Sequence, residues 1–437
     1  MNQRDLARKG TCLVRRRTCF WILPTTLCLA FVALAQVGLA QSPSFQDSSD
    51  LSIWPNTKSR ANGDDWIVRN HDSIRKMRPR LLVLNFSNQH DMAHVQKMTE
   101  QLIAALAESS RYHGYKDPKA PVFLEYQVLK YVDLRDPGGT KNNSAKSPIK
   151  KQIAPPEINM DYGALFNETF AAYYGFPDPK NPRRFLRLDE LVERGYVHEV
   201  WFFAAVTGDL RCLECIELKP VFDAKFRRTG EIREAGNGGD PDRKWTGRSL
   251  RINHLNPDRG IGCAMENLGH CLEGMANADV IPYYTKYFRE YAGLDLDTRY
   301  KLPFKSFYEL EYGKAVIAYP NERTAVITYQ GKTYRLDNYV SFGGNVHFPP
   351  NGRQHYDLSN TAPVRSTIES WRIGNTSDKT DTVQNWTNQA FEKYRTVAPD
   401  CMGAWIVYWR QNMPGLHNKQ KDDQGRPMKN WWPFLFY

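Results

Sequence analysis

The sequence predicts an α/β fold: a central mixed sheet flanked by helices, with an added antiparallel meander and long loops. Three observations carry this expectation. From residue 81 to 206, short apolar runs of strand length alternate with segments of helical period. One of those runs, EVWFFAAV (199–206), is apolar on both faces, as a central strand covered on both sides must be. Further on, AVIAY and AVITY flank the turn Pro320-Asn321-Glu322-Arg323, and TYRL follows Gln330-Gly331-Lys332. Short strands joined by such turns read as a meander at about 308–340.

Taken in order, the chain begins with an export pattern. Residues 1–18 carry six bases against one acid, and the apolar run from Cys19 ends at Gly38-Leu39-Ala40. A basic region, an apolar region and a small-residue end make a signal peptide, with cleavage expected after Ala40. The alternative is an uncleaved anchor, since the run approaches the length of a membrane span. Cleavage would leave no stable membrane span and places the protein outside the cytoplasm, secreted or periplasmic. It also lowers the net charge from +11 to +6 over the remaining 397 residues. With the bases scattered, nucleic-acid binding has little support.

Residues 41–75 are polar and read as a flexible lead-in, and 76–437 as a single elaborated domain, since no linker divides it. LLVLNF (81–86) reads as the first strand. A helix follows from about 90 to 109, with Val95, Met98, Leu102, Ile103 and Leu106 at helical spacing. Residues 121–134 read as a second strand, 135–160 as loop, and 161–176 and 184–194 as helices. Residues 218–260 read as a long loop, 261–294 as two helices. The remainder is loop-rich around a helix at about 383–396 and a strand, GAWIVYW (403–409).

Five cysteines remain beyond the signal: Cys212, Cys215, Cys263, Cys271 and Cys401. Cys212-Leu-Glu-Cys215 lacks a second CxxC for a zinc ribbon, so a structural disulfide is the expectation there. Cys263 and Cys271 cannot pair on one helix, where eight residues put them about 12 Å apart.

The chemistry-bearing segment is GIGCAMENLGHCLEGM (260–275). Placed on a helix, Ala264, Leu268, Cys271, Leu272 and Met275 share an arc of about 100°. Glu266, His270 and Glu273 fall on the opposite face, within about 60° of one another. Such a set can converge on one divalent ion or supply an acid, a base and an orienting carboxylate. It also fits a solvated helix face. Gly262 and Gly269 border it and weaken a helix by about 1 kcal/mol each, which a solvated face does not need. They would let another segment approach the backbone.

RGIGCAMENLGHCLE (259–273) and the later HFPPNGRQHYD (347–357) resemble segments of an uncharacterised family of secreted proteins. The resemblance covers about residues 80–410 and implies no activity or site residues. The later segment carries His347, His355 and Asp357 on an irregular Gly/Pro backbone, and His347 is the best distant partner for the helix. His90 and His94, one turn apart after the first strand, are a weaker metal candidate. Among the acids that follow strand 199–206, Glu214 is placed for general-base work.

The expected function is therefore a hydrolase acting on a glycan or peptide. Glu266, His270, Glu273 and His347 would hold a divalent metal, zinc or calcium, and Glu214 would be the catalytic base. The alternative is a non-catalytic carbohydrate-binding or envelope-associated protein, with the abundant aromatics (13% of residues) as its platform. NWWPFLFY (430–437) is too apolar to stay in water and should dock.

Overall fold

Strands apolar on both faces demand cover on both, and this organises the protein. The computed structural model describes residues 45–238, 245–380 and 383–437. The expected signal, 1–40, lies outside the described residues. Those from 45 onward fall in one compact unit. The main sheet has six strands: β1 (Arg80–Asn85), β2 (Gln127–Asp133), β3 (Glu199–Phe203), β4 (Cys215–Phe222), β5 (Arg228–Glu234) and β6 (Leu250–Leu255). Their order is β2-β1-β3-β6-β4-β5. The first four positions run parallel, and β4 and β5 add antiparallel. The α/β class with a mixed central sheet thus holds.

Alternation sorts side chains to two cores. Leu81, Val83, Trp201 and Phe203 face one, beneath helices α1 (Met92–Ser109), α4 (Ile261–Asn277), α5 (Pro282–Ala292) and α6 (Gly403–Gln411). Leu82, Leu84, Val200 and Phe202 face the other, under the short helices α2 (Glu168–Tyr174) and α3 (Leu188–Glu193). The meander forms as β7 (Ile317–Asn321), β8 (Thr324–Tyr329) and β9 (Lys332–Leu336). No helix among the described residues is long and apolar enough to cross a membrane.

Several expectations are corrected. Residues 218–260 are not a long loop, since they carry most of β4 and all of β5 and β6. Charged and polar residues hide these strands from a hydropathy reading. Glu217, Lys219 and Arg251 are buried in an ionic network, while β5 is a charged edge strand that resists further pairing. GAWIVYW is helix α6, because a helix buried all round loses its period. The expected helix at 184–194 shrinks to α3, after a strand at Asn181–Phe185. Residues 45–75, expected to be loose, contribute the fully buried Trp54 and Ile67. Cys212 and Cys215 are free, and the disulfide is Cys263–Cys401. Cys215 opens β4 with its thiol in the core, while Cys212 stays partly exposed.

The ionic network lies on the α4 side of the sheet. Arg251 donates to Glu199 (3.4 Å) and Glu217 (3.1 Å), and Lys219 donates to Glu217 (3.1 Å). Burial works to raise Glu217, but the charges of Arg251 and Lys219 outweigh it and hold its pKa at about 2. Lys219 and Arg251 also both donate to the Leu435 carbonyl. The terminal segment docks as expected, with Trp431, Trp432, Phe434 and Phe436 buried. Gly63 N–H donates to the Phe436 carbonyl, and the His71 ring meets the Tyr437 hydroxyl at 2.5 Å.

Two buried imidazoles pin the sheet and set an acid limit. His198 Nδ1 accepts from Arg80 N–H, and its Nε2 faces the Arg60 carbonyl at 2.7 Å. Burial and the charge of Arg80 lower its pKa to about 3, and burial lowers that of His254 to about 4. Both folded values lie below the unfolded value, so the unfolded chain binds more protons in acid. The stability is fully present above about pH 6.5 and is lost as pH falls toward 3–4, by several kcal/mol at about 1.4 kcal/mol per unit. Urea unfolding across pH 7.5 to 4 should show the fall, and His198→Gln should flatten it. Equal pH slopes in the two proteins would refute this role for His198.

Candidate functional site

Helix α4 follows β6 directly and crosses beneath the loop at 343–357. Its glycines permit both close approaches. A Cβ on Gly262 would lie 1.7 Å from the Asp400 carbonyl oxygen, and one on Gly269 would lie 2.8 Å from Val346 Cγ2. The loop is held from its other side by α6. Trp405 and Trp409, one turn apart, donate their indole N–H groups to the carbonyls of Asn345 (2.9 Å) and Gly344 (2.8 Å). Asn345 Oδ1 accepts from the N–H groups of His347 and Phe348, which turns the loop back over α4. Gly344 has φ +86°, a conformation a side chain would strain.

The loop makes the polar face of α4 an interior. Glu266, His270 and Glu273 are 3%, 8% and 5% exposed, so they are not a solvated face. Glu266, His270 and His347 form a set whose donor atoms lie within 4.8 Å of one another. His270 Nε2 and His347 Nε2 are 3.1 Å apart, and Glu266 Oε1 lies 3.3 Å from His347 Nε2 and 3.9 Å from His270 Nε2. A tetrahedral zinc with bonds of about 2.0–2.2 Å spaces its donors about 3.3–3.6 Å apart, so the set fits after shifts of about 0.3 Å or less.

Glu273 stands outside this set. Its Oε2 lies 2.8 Å from His270 Nδ1, while Tyr308 donates its hydroxyl to both oxygens and Val346 donates its N–H at 3.0 Å. Those bonds put it behind His270, where a carboxylate would orient a metal-binding histidine. Burial lowers the pKa of His270, but the hydrogen bond and charge of Glu273 outweigh it and the net shift is upward. On the opposite flank, His347 Nδ1 lies 3.1 Å from His355 Nδ1. Burial and the neighbouring His347 lower His355 to about 4, so it is neutral at pH 7. Tyr356 closes the cluster, donating to Glu266 Oε1 at 2.5 Å with its oxygen 2.7 Å from His347 Nε2. Burial opposes ionisation of Glu266, but the bonds from His347 and Tyr356 prevail and lower its pKa.

Of these groups, His270, Glu273, His347, Tyr308 and Tyr356 line a cleft of about 950 Å³, together with Glu214, Asn237, Asp295 and Lys305. Glu214 precedes β4, hydrogen-bonds the Asn237 amide, and its charge is felt at His270 and Tyr356. Tyr308 and Tyr356 were not singled out from the sequence. Only the general abundance of tyrosine signalled them. His90 and His94 do not converge on a site: His90 pairs with Asp258 and His94 Nε2 faces the Pro257 carbonyl. Eight of the ten described tryptophans are fully buried.

No family model, curated protein or solved structure matches the chain.

Proposed function

We propose that this protein is an exported, zinc-dependent hydrolase acting on a glycan or peptide. The observation that carries the reading is the convergence of Glu266, His270 and His347 near zinc-ligand spacing, with both imidazoles in the wall of a large polar cleft. Two imidazoles and one carboxylate suit zinc, whereas calcium asks for six to eight oxygens. When bound, zinc supplies Lewis acidity toward a carbonyl or acetal oxygen. Glu273 keeps the His270 proton at Nδ1, which leaves the Nε2 lone pair facing the cluster. Glu214, which lines the same cleft, would take the proton of an attacking water. Tyr356, with its pKa raised by burial and by Glu266, stays a hydroxyl donor.

The purified protein is expected to bind one zinc per chain by metal analysis. His270→Ala and His347→Ala should abolish that binding, and Glu273→Gln should weaken it about 10–100-fold. Hydrolysis, screened on glycan and peptide substrates, should be lost on chelation and restored by zinc. Glu214→Gln should keep zinc and lose turnover by two or more orders of magnitude, roughly the contribution of a general base. A wild-type protein that binds no zinc, or whose activity ignores chelation, would refute the proposal.

A further inference from the structure

Glu266 belongs to two groups of candidate ligands. The second is Cys263, Glu266 and Cys401, whose sulfur and carboxylate oxygen atoms also lie within 4.8 Å of one another. The two carboxylate oxygens are not equivalent. Oε1 is taken by Tyr356 on the histidine side. Oε2 is buried and has no hydrogen-bond partner, in a residue only 3% exposed. Arg259 shows where Oε2 points: its Nη2 lies 3.9 Å from Oε2 and 3.7 Å from Cys401 Sγ. A buried carboxylate oxygen with no hydrogen bond thus lies beside the same guanidinium nitrogen as the Cys401 sulfur.

The two cysteines do not depend on their covalent bond to stay together. Asp400 accepts from the N–H groups of Gly262 (2.9 Å) and Cys263 (3.4 Å) at the start of α4. The Asp400 carbonyl also accepts from Gly403 N–H at 3.0 Å, at the start of α6. Gly262 and Gly403 bring the two helix starts into backbone contact. Cys263 and Cys401 sit beside that clamp with their Cα atoms 5.4 Å apart. Two thiolates on one tetrahedral zinc, with bonds of about 2.3 Å, need sulfurs only about 3.8 Å apart.

We propose that Cys263, Cys401 and Glu266 form a second, thiolate-rich cation site, latent while the disulfide is closed and opened by its reduction. The cation is a soft or borderline divalent ion of the zinc class, as two thiolates select. Opening takes two electrons and two protons. A dithiol reductant delivers both, its own sulfurs joining in a new disulfide as the Cys263–Cys401 bond breaks to two thiols. The incoming cation then displaces the two thiol protons. Cys401 is exposed and Cys263 buried, so the reductant's thiolate attacks Cys401 Sγ and Cys263 leaves. This site shares Glu266 with the proposed hydrolase centre, but its sulfur donors give it a signature of its own.

The test is cobalt(II) titration of the purified protein without oxygen, before and after treatment with a phosphine. The phosphine takes the oxygen of one water, whose two hydrogens complete the thiols, and leaves no competing thiol. Oxidised protein should bind cobalt without a sulfur-to-cobalt charge-transfer band in the near ultraviolet. Reduced protein should take up one further equivalent and show an intense band. Cys401→Ser, treated identically, should show no band. His347→Ala should keep the band while losing the first equivalent. Reduced wild-type protein that binds cobalt with no band overturns the second site, and so does loss of the band in His347→Ala. Absence of the first equivalent with the band intact counts against the hydrolase centre alone.

Discussion

Gly262→Ala is expected to destabilise the protein by about 3 kcal/mol or more, at the upper end of overpacking costs. The added methyl would sit 1.7 Å from the Asp400 carbonyl oxygen and 3.0 Å from Gly403 N, and both are backbone atoms. No side chain can swing aside. Either α4 or the start of α6 must move, and the Asp400 bonds to Gly262 and Cys263 go with them. Gly208→Ala is the control. Nothing lies within 4 Å of its added carbon, so a change within about 0.5 kcal/mol is expected. Urea denaturation of both proteins decides it. A Gly262→Ala protein as stable as wild type would mean that the two helix starts are not in contact.

Arg251→Met should cost about 3–5 kcal/mol, the usual penalty for removing one partner of a buried ion pair. Glu199 and Glu217 are almost wholly buried, and Arg251 faces both. Glu217 would retain Lys219 and Ser249. Glu199 would retain only neutral donors, from Trp201, Asn253 and Tyr126. The loss should therefore be relieved in part by mild acid, which protonates Glu199, whose pKa burial already raises despite Arg251. Melts at two pH values would show a smaller gap from wild type at the lower one. A cost below about 1 kcal/mol would place the network among the weak surface pairs instead.

The same network explains what was legible in the sequence. Strands β1 and β3 announce themselves because every side chain is apolar or at a strand end. Strand β6, LRINHL, is equally central, but Arg251, Asn253 and His254 read as solvent-facing. Their partners lie 18 to 184 residues away, so no local pattern reveals that they are satisfied inside. Helix α6 fails for the opposite reason, since all nine of its residues are buried and no period remains.

At the site, helical spacing was enough to bring Glu266, His270 and Glu273 onto one face. It could not show that the face is an interior, because a distant loop with Val346 and His347 makes it one. Nor could it tell a group on the Nε2 side of His270 from one on its Nδ1 side. That distinction lies in which ring nitrogen of His270 meets Glu273. The disulfide was half-legible: Cys263 was excluded from pairing with Cys271, but Cys401 lies 138 residues away.

The seam between residues 54–71 and 431–437 bears on when this interior can close. Trp54 packs on Phe436, and His71 meets Tyr437 across 366 positions of chain. Without residues 431–437, Lys219 and Arg251 lack the Leu435 carbonyl and the sheet lacks its lid. Completion of the core thus waits on contacts hundreds of residues apart rather than on local helices. A chain truncated after residue 430 should stay open to protease throughout its length.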